Sequence, residues 1–594
     1  MIRGRRAKWT RRTQYMKISS SVPPAPISLD GIWRFRFEEG KSLEEAADPE
    51  FEPTDSIAVP SCWDVMPKWY LKRGTGLYKR SFDLPRAVEN AWLVVDGMGL
   101  RADFRIDGRR LGVHPYPYLR LSIETGPLSA GRHELFAALD NRFDWSTTKL
   151  ARPYYDFYFY GGFYHGVSLE FDERRLVVRT RDWRTGTVEI EAAGVDEKDF
   201  PATLVFDGRN AVGAEFRGGR ATVRVPDFRL WSPESPALHV VDLHFGRPSP
   251  APDGSYGAPA ASARFGIRGF EAKDRKFFLN GKPVFLRGVN RHETLPDSGT
   301  ATTEATMVAD IQRLKSLGGN FIRGAHYPQT RRFLDLCDEA GVLVWEESLG
   351  WGNGQPYVES DGDELADPAF AEAQVHQTRE MVRASINHPC VVMYGFVNEI
   401  ASHRPEAKAL VDRLAAAVRA EDSGRLVTFA CNHWFGDLCH DATDVVAFNA
   451  YPGTIPIEPG MPEELAEKVR NSPRDGFDTV TKLFREKYPD KTIMVSEAGC
   501  GGEYGLHDPA AGWCSEEFQE EYLRDILETL WANPDVAGFS IWQMNDNRTY
   551  HRNSPGQPGK PNAGFSIAGL FDSRRRPKLA AATVKRFFEA PPER

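Results

Sequence analysis

The sequence predicts a multidomain protein that combines all-β and α/β architecture: two β-sandwiches followed by a C-terminal (β/α)8 barrel. Three observations predict it. The chain has 594 residues, 41% hydrophobic and 27% charged, more than one hydrophobic core organises, so about three domains are expected. Up to about residue 270 the apolar runs are short, tend to alternate at period two, and are broken by turn signals. Beyond Phe277 strand-like runs alternate with amphipathic helical patterns, the signature of a parallel sheet built from βα units.

Taken in order, residues 1–25 read as a disordered tail. Met1 to Arg12 is basic, but no apolar stretch follows it before Ser19-Ser20-Ser21, so a signal peptide is not expected, and Met16 is an alternative start. Residues 26–175 hold short runs such as Trp92-Leu93-Val94-Val95 and His133-Glu134-Leu135-Phe136-Ala137, separated by turn signals at Asp107-Gly108 and Ala130-Gly131. That spacing indicates a β-sandwich. Residues 176–270 suit a small immunoglobulin-like sandwich, with alternation in Thr187-Val188-Glu189-Ile190-Glu191 and a Pro/Gly/Ser/Ala-rich surface loop over 246–262. Residues 271–594 form the barrel, with strands expected at 284–289, 320–323, 343–347, 391–398, 426–430, 445–449, 493–497 and 537–542. Helical patterns include 303–317, 369–386, 516–531 and 578–588.

Net charge is −8 with both signs interspersed, which points away from nucleic acid or an anionic membrane as partner. No apolar run is long enough to span a bilayer. Seven scattered cysteines with no C-x-x-C pair argue against a disulfide framework and a structural zinc site. A reducing, cytoplasmic location is expected.

Two apolar runs, Tyr394-Gly395-Phe396-Val397-Asn398-Glu399 and Met494-Val495-Ser496-Glu497-Ala498-Gly499, each carry a glutamate at a strand tip. In a (β/α)8 barrel the C-terminal strand tips make one face, where chemistry is done. Arg291-His292-Glu293, Arg323, His326, Glu346, Glu347, Asn398, Glu399, Asn449, Tyr451, Glu497, Trp542, Asn545 and Asp546 all fall at such tips. Two carboxyl groups there can share the work of breaking a glycosidic bond, one as acid/base and one as nucleophile.

The segments Gly288-Val289-Asn290-Arg291-His292-Glu293, Arg323-Gly324-Ala325-His326-Tyr327-Pro328, Asn387-His388-Pro389, Asn398-Glu399 and Ser496-Glu497 resemble, in order and spacing, glycoside hydrolase family 2. The resemblance runs over about residues 29–588 and implies a jelly-roll-like sandwich, an immunoglobulin-like sandwich and a TIM barrel. It implies Glu399 as general acid/base and Glu497 as nucleophile, with carboxyl groups about 5–5.5 Å apart in a retaining enzyme. It further implies that Asn398 binds the sugar 2-hydroxyl, Tyr451 contacts the nucleophile, and Asn449 makes a sugar contact found in glucuronidase-type members. His292 and His326 match active-site histidines that bind hydroxyls or the transition state, and Trp542 matches an apolar floor for the pyranose. The aromatic stretch Tyr154 to Tyr164 resembles a loop that inserts an aspartate, here Asp156, into the barrel mouth; its tyrosines equally suit a domain interface. Relatives are often dimers or tetramers, which makes this chain a candidate homo-oligomer.

The pattern also departs from the family. Where glucuronidases carry an Asn-x-Lys motif for the sugar carboxylate, this chain has Ser566-Ile567-Ala568, although Arg548, His551, Arg552 and Lys560 lie in the same loop. The stretch Ser348-Leu349-Gly350-Trp351-Gly352-Asn353 lacks the acid and histidine ligands of the magnesium-dependent β-galactosidases, so no metal and no cofactor are expected. The expected activity is an exo-acting retaining β-glycosidase on terminal β-galactosides. The alternatives are a β-glucuronidase or other uronidase, a furanoside- or arabinoside-directed relative and, from another class, a non-catalytic carbohydrate-binding protein.

Overall fold

A computed structural model describes residues 25–592 apart from 173, 195–200, 247, 253, 357, 359–361, 455–461 and 550–563. The expected tail over 1–24 and the basic residues His551, Arg552 and Lys560 lie outside the described residues.

The first domain is an antiparallel sandwich. Its six-stranded sheet runs in the order Asp55–Val59, Gly31–Glu39, Gly74–Leu84, Gly131–Asp140, Arg101–Ile106, Arg109–His114. The opposing sheet runs Ile27–Ser28, Val167–Glu170, Trp92–Val95, Leu121–Glu124. Trp33 and Phe104 of the first sheet and Leu93 and Val95 of the second are buried in one core, as the inward half of alternating strands must be. The Asp107-Gly108 turn has φ +50° and +77°, the two left-handed residues that a tight hairpin matching strand twist requires.

The second domain packs a three-stranded sheet (Arg175–Asp182, Thr187–Ala193, Arg220–Arg224) on a four-stranded one (Asn210–Ala214, Ala202–Phe206, His239–Phe245, Ala261–Phe265). Val188 and Ile190 meet Leu204, Phe206 and Leu243 in its core. The Pro/Gly-rich stretch joins the last two strands, Ala261–Phe265 following His239–Phe245.

The barrel strands are β1 (Leu286–Asn290), β2 (Phe321–Arg323), β3 (Leu343–Glu347), β4 (Val391–Gly395), β5 (Leu426–Val427 and Ala430–Cys431), β6 (Val445–Asn449), β7 (Thr492–Ala498) and β8 (Val536–Ile541). All pair in parallel, and β1 beside β8 closes the ring. They are buried on both faces, which is why they read as continuous apolar runs. Helices α1 (Glu304–Ser316), α2 (Arg331–Ala340), α3 (Pro368–Ser385), α4 (Pro405–Glu421), α5 (Pro473–Lys487), α6 (Glu516–Ala532) and α7 (Leu579–Glu589) pack outside. Among the described residues the β5–β6 connection carries only a 3-10 turn, His440–Ala442.

Three expected strands differ. Of 284–289, Lys282–Val284 belongs to an antiparallel hairpin sheet with Phe270–Lys273 and Lys276–Leu279, and β1 starts at Leu286. The fifth strand breaks at Thr428, whose hydroxyl donates to the Val445 carbonyl at 3.0 Å. β4 stops at Gly395 rather than 398, because the next residues leave the extended conformation. Among the described residues no helix is long and apolar enough to cross a membrane, and all seven cysteines are free and buried.

The first sandwich sits on the barrel mouth through its aromatic stretch. Tyr155, Phe157, Phe159 and Tyr164 share a cluster with Tyr327, Leu349 and Trp351, and Tyr118 stacks on Tyr327 at 3.9 Å. The buried ion pair Arg152–Glu364 (2.7 Å), with the Tyr154 hydroxyl donating to the same carboxylate, ties the stretch to the β3–α3 loop. The aromatic run packs the interface between the first sandwich and the barrel, and Asp156 within it lies at the barrel mouth.

Candidate active site

Glu497 lies within β7, opposite Asn449 of β6. A Cβ on Gly499 would come within 2.1 Å of the Trp542 carbonyl oxygen, so only glycine lets the tips of β7 and β8 close. Glu399 follows β4 on a bent tip: Val397 has φ +41° and Glu399 φ +53°, a region that a β-branched residue seldom occupies. The tip is clamped by Asn398 N–H to Gly350 O (3.1 Å), Glu399 N–H to Ala430 O (2.9 Å) and the Gln355 amide to Glu399 O (2.6 Å). Such strain costs about 1–3 kcal/mol and persists where the surroundings over-determine it.

Arg323, the last residue of β2, is fully buried and divides its donors among Glu497, Glu347 and Asn398, with Asn290 Oδ1 (3.0 Å from Nη1) and His326 Nδ1 (3.2 Å from Nη2) also in reach. Nη1 donates to Glu497 Oε1 at 2.5 Å. Nε and Nη2 fork onto Glu347 at 2.9 and 3.0 Å, and Nη2 also reaches Asn398 Oδ1 at 2.9 Å. The Tyr451 hydroxyl donates to the other nucleophile-side oxygen, Glu497 Oε2, at 2.5 Å. Asn449 Nδ2 donates to Glu399 Oε1 (2.8 Å) and Asn398 Oδ1 (3.0 Å), while its Oδ1 accepts from Ser496. One hydrogen-bonded chain thus runs from Glu399 through Asn449, Asn398 and Arg323 to Glu497.

Burial pushes the Glu497 carboxyl upward, and the Arg323 guanidinium and Tyr451 hydroxyl pull it back. Glu347 is pushed by burial up to about 7 against the same guanidinium. Burial, then the negative charges of Glu497 and Glu399, raises the Tyr451 hydroxyl well above its usual range, so it stays a donor. Burial and the cations around it hold His292 neutral. Glu346, which accepts one hydrogen bond from Gln329 N–H at 3.2 Å, is pushed by burial up to about 8. A carboxyl whose folded value lies above its unfolded 4.5 contributes stability at low pH that is lost as pH rises through 8. Glu346→Gln is therefore expected to melt higher relative to wild type at pH 8.5 than at pH 5, by about 2 °C or more, as calorimetry at both pH values would measure.

Glu399, Glu497, Asp156, Tyr451 and Trp542 line one pit, with Trp351, Thr454, Cys500, Trp513, Cys514 and Ser566, Ile567 and Ala568 completing its walls. Asn398 sits beneath; its Oδ1 is taken, and its buried Nδ2 has no protein partner. Asn449, expected to touch the sugar, donates its amide to Glu399 and Asn398. The two histidines, expected as sugar ligands, both pack against Trp542. His326 stacks on that indole at 5.2 Å, His292 meets it edge-on at 5.3 Å, and His326 Nε2 is 3.8 Å from Glu497 Oε1. Arg548 is held by aromatic faces and the Tyr70 hydroxyl (2.5 Å), apart from the lining. Sequence reasoning placed Arg323 and Glu347 at the tips without giving them a role in the site, because the burial that pairs them is not visible in the sequence. It also left out Trp513, Cys500 and Cys514, which reach the pit from the β7–α6 loop.

Among the described residues one cluster has ligand-type atoms close enough for a single ion: Asp338, His388 and Cys390. Those atoms serve one another, His388 Nδ1 with Asp338 Oδ2 at 2.7 Å and Cys390 N–H to Asp338 Oδ1 at 3.0 Å. The cluster precedes β4, at the opposite end of the barrel from the pit.

A family profile described as the TIM barrel domain of glycosyl hydrolases family 2 matches residues 270–590. The chain is 27% identical to the β-glucuronidase of Sus scrofa over 94% of its own length and 89% of that protein. It is 26% identical to the β-glucuronidase of Bacteroides fragilis over 92% and 80%. It is similar to a crystal structure of a GH2 β-galacturonidase from Eisenbergiella tayi bound to galacturonate, with TM-score 0.79 and 26% identity, covering 97% of this chain and 99% of that one. The paired glutamates on the barrel face and these full-length likenesses agree: the chain is a glycoside hydrolase and belongs to glycosyl hydrolase family 2.

Proposed function

We propose that this protein is an exo-acting retaining β-uronidase that releases a terminal β-linked hexuronic acid. The observation that carries the substrate class is the likeness, along nearly the whole chain, to proteins named β-glucuronidase and to a β-galacturonidase. The β-galactoside expected from the sequence thereby becomes the second reading. One observation still favours it: among the described residues the pit lining contains no lysine or arginine to meet a sugar carboxylate.

In the proposed mechanism Glu497 attacks the anomeric carbon while Glu399 protonates the departing oxygen, and Glu399 then activates water against the covalent intermediate. Arg323 and Tyr451 support the charged form of Glu497, each through a 2.5 Å hydrogen bond. The unpartnered Asn398 Nδ2 suits a sugar 2-hydroxyl, a contact that strengthens in the oxocarbenium-like transition state. Asp156 accepts from a ring hydroxyl, and Trp542 gives the pyranose an apolar floor. A panel of nitrophenyl β-glycosides tests the reading: release from the β-glucuronide or β-galacturonide is expected to exceed that from the β-galactoside by at least about a hundredfold, since a site built for one polar group rejects analogues lacking it. Cleavage of the galactoside alone would replace the uronide with a neutral hexoside.

A further inference from the structure

Glu347 has no contact with the pit, yet it is bound to the group that holds the nucleophile. Its side chain is fully buried at the tip of β3. Both its oxygens take hydrogen bonds from Arg323, at 2.9 and 3.0 Å, and its Oε1 also lies 2.9 Å from His326 Nδ1. The remaining nitrogen of the same guanidinium, Nη1, donates to Glu497 at 2.5 Å and to the neutral Asn290 Oδ1 at 3.0 Å. A single cation is thus shared by two buried carboxylates, one of which reacts.

We propose that Glu347 is a positioning residue that, by drawing Arg323 into a planar fork, sets both the direction and the share of positive charge that the guanidinium gives to Glu497. The inference rests on Glu497 being the nucleophile. The planar arginine fork matches a carboxylate with two parallel donors, so anchoring it on Glu347 fixes where Nη1 points. Sharing it also leaves Glu497 less stabilised as an anion than a private arginine would leave it. A carboxylate held too firmly is a weaker nucleophile, so the sharing favours attack. When Glu497 becomes a neutral ester in the covalent intermediate, Arg323 still has Glu347 as counter-charge, and no buried cation is left unpaired. The charged and titratable groups facing Glu347 are Arg323 from β2 and His326 just beyond it, with Glu497 across the guanidinium. Burial raises both carboxyls, Glu347 to about 7, and the negative charge of Glu347 adds to the rise at Glu497.

The test is the pH dependence of inactivation by a 2-deoxy-2-fluoro glycosyl fluoride of the sugar that wild type cleaves best, with the labelled residue located by peptide mass. In Glu347→Gln the acid limb of the inactivation rate is expected to move about one unit lower, because Glu497 gains Arg323 and loses a like charge. The rate at the plateau is expected to fall about tenfold as the guanidinium loses its anchor. Glu347→Asp, which withdraws the carboxylate by one methylene, is expected to move the limb the same way by less, and it gives the reading if the glutamine variant lacks a native melting transition. A limb that stays in place in a folded variant, with only a uniform loss of rate, would overturn the inference. Label on a residue other than Glu497 would instead overturn the proposed mechanism.

Discussion

Glu497→Gln is expected to lose about 10⁴–10⁶-fold in kcat, the scale seen when a catalytic nucleophile is removed from an otherwise intact site. The amide keeps the shape of the carboxyl but cannot form the glycosyl ester, so no covalent intermediate accumulates. Its surroundings predict a second result. Burial in β7 disfavours the charged form of Glu497 more than Arg323 and Tyr451 restore it, so the carboxylate costs the folded state stability at neutral pH. With its folded value above its unfolded one, that cost is absent at low pH and grows as pH rises. The inactive variant is therefore expected to melt at or above the wild-type temperature at pH 7, a functional group held against the preference of the fold. Steady-state kinetics and calorimetry on one preparation check both. Residual activity within tenfold of wild type would remove Glu497 from the mechanism.

Glu399→Gln separates the two halves of the reaction. The glutamine can still accept from Asn449 Nδ2, which reaches Glu399 Oε1 at 2.8 Å, so the bent tip is expected to hold its shape. With a sugar or alkyl leaving group, which needs a proton to depart, kcat/KM is expected to fall by about 10²–10⁴-fold. With a nitrophenolate leaving group the first step survives and breakdown of the covalent intermediate becomes limiting. The expected signature is a burst of nitrophenolate, followed by slow turnover with a lowered KM. Azide, which needs no general base, is expected to restore turnover and to give the β-glycosyl azide, detectable by NMR. Equal losses for both classes of leaving group, with no burst and no azide effect, would count against Glu399 as acid/base.

The parts of this molecule that were readable in the chain are those encoded by local pattern. Barrel strands such as β6 and β7 are buried on both faces and appear as unbroken apolar runs. The sandwich strands appear as alternation, and the hairpin at Asp107-Gly108 as a pair of residues that tolerate positive φ. Glu399 and Glu497 stood out because a carboxylate at the end of such a run has no packing reason to be there. The break in the fifth strand was not readable: Thr428 is a good strand former, and its turn away depends on the Val445 carbonyl of a different strand. Nor was the early end of β4, since Val397 and Glu399 adopt a conformation their residue types disfavour, held by Gly350 and Ala430 from neighbouring tips.

Residue order alone established the run of two sandwiches and a barrel, which carboxylates reach the barrel face, and the chemistry they are able to share, because period, turn residues and strand ends are properties of adjacent positions. Which groups govern those carboxylates followed from folding. Arg323 is 174 positions from Glu497 and Glu347 is 24 from Arg323, and nothing in a linear text distinguishes an arginine that serves two buried acids from one that faces water. That the Asn449 amide reaches Glu399, and that His292 and His326 pack on Trp542, likewise came only from the fold. Hydrogen bonds of about 3 Å and electrostatic effects in a low-dielectric interior depend on separations in space, and those exist only once the eight strands have closed.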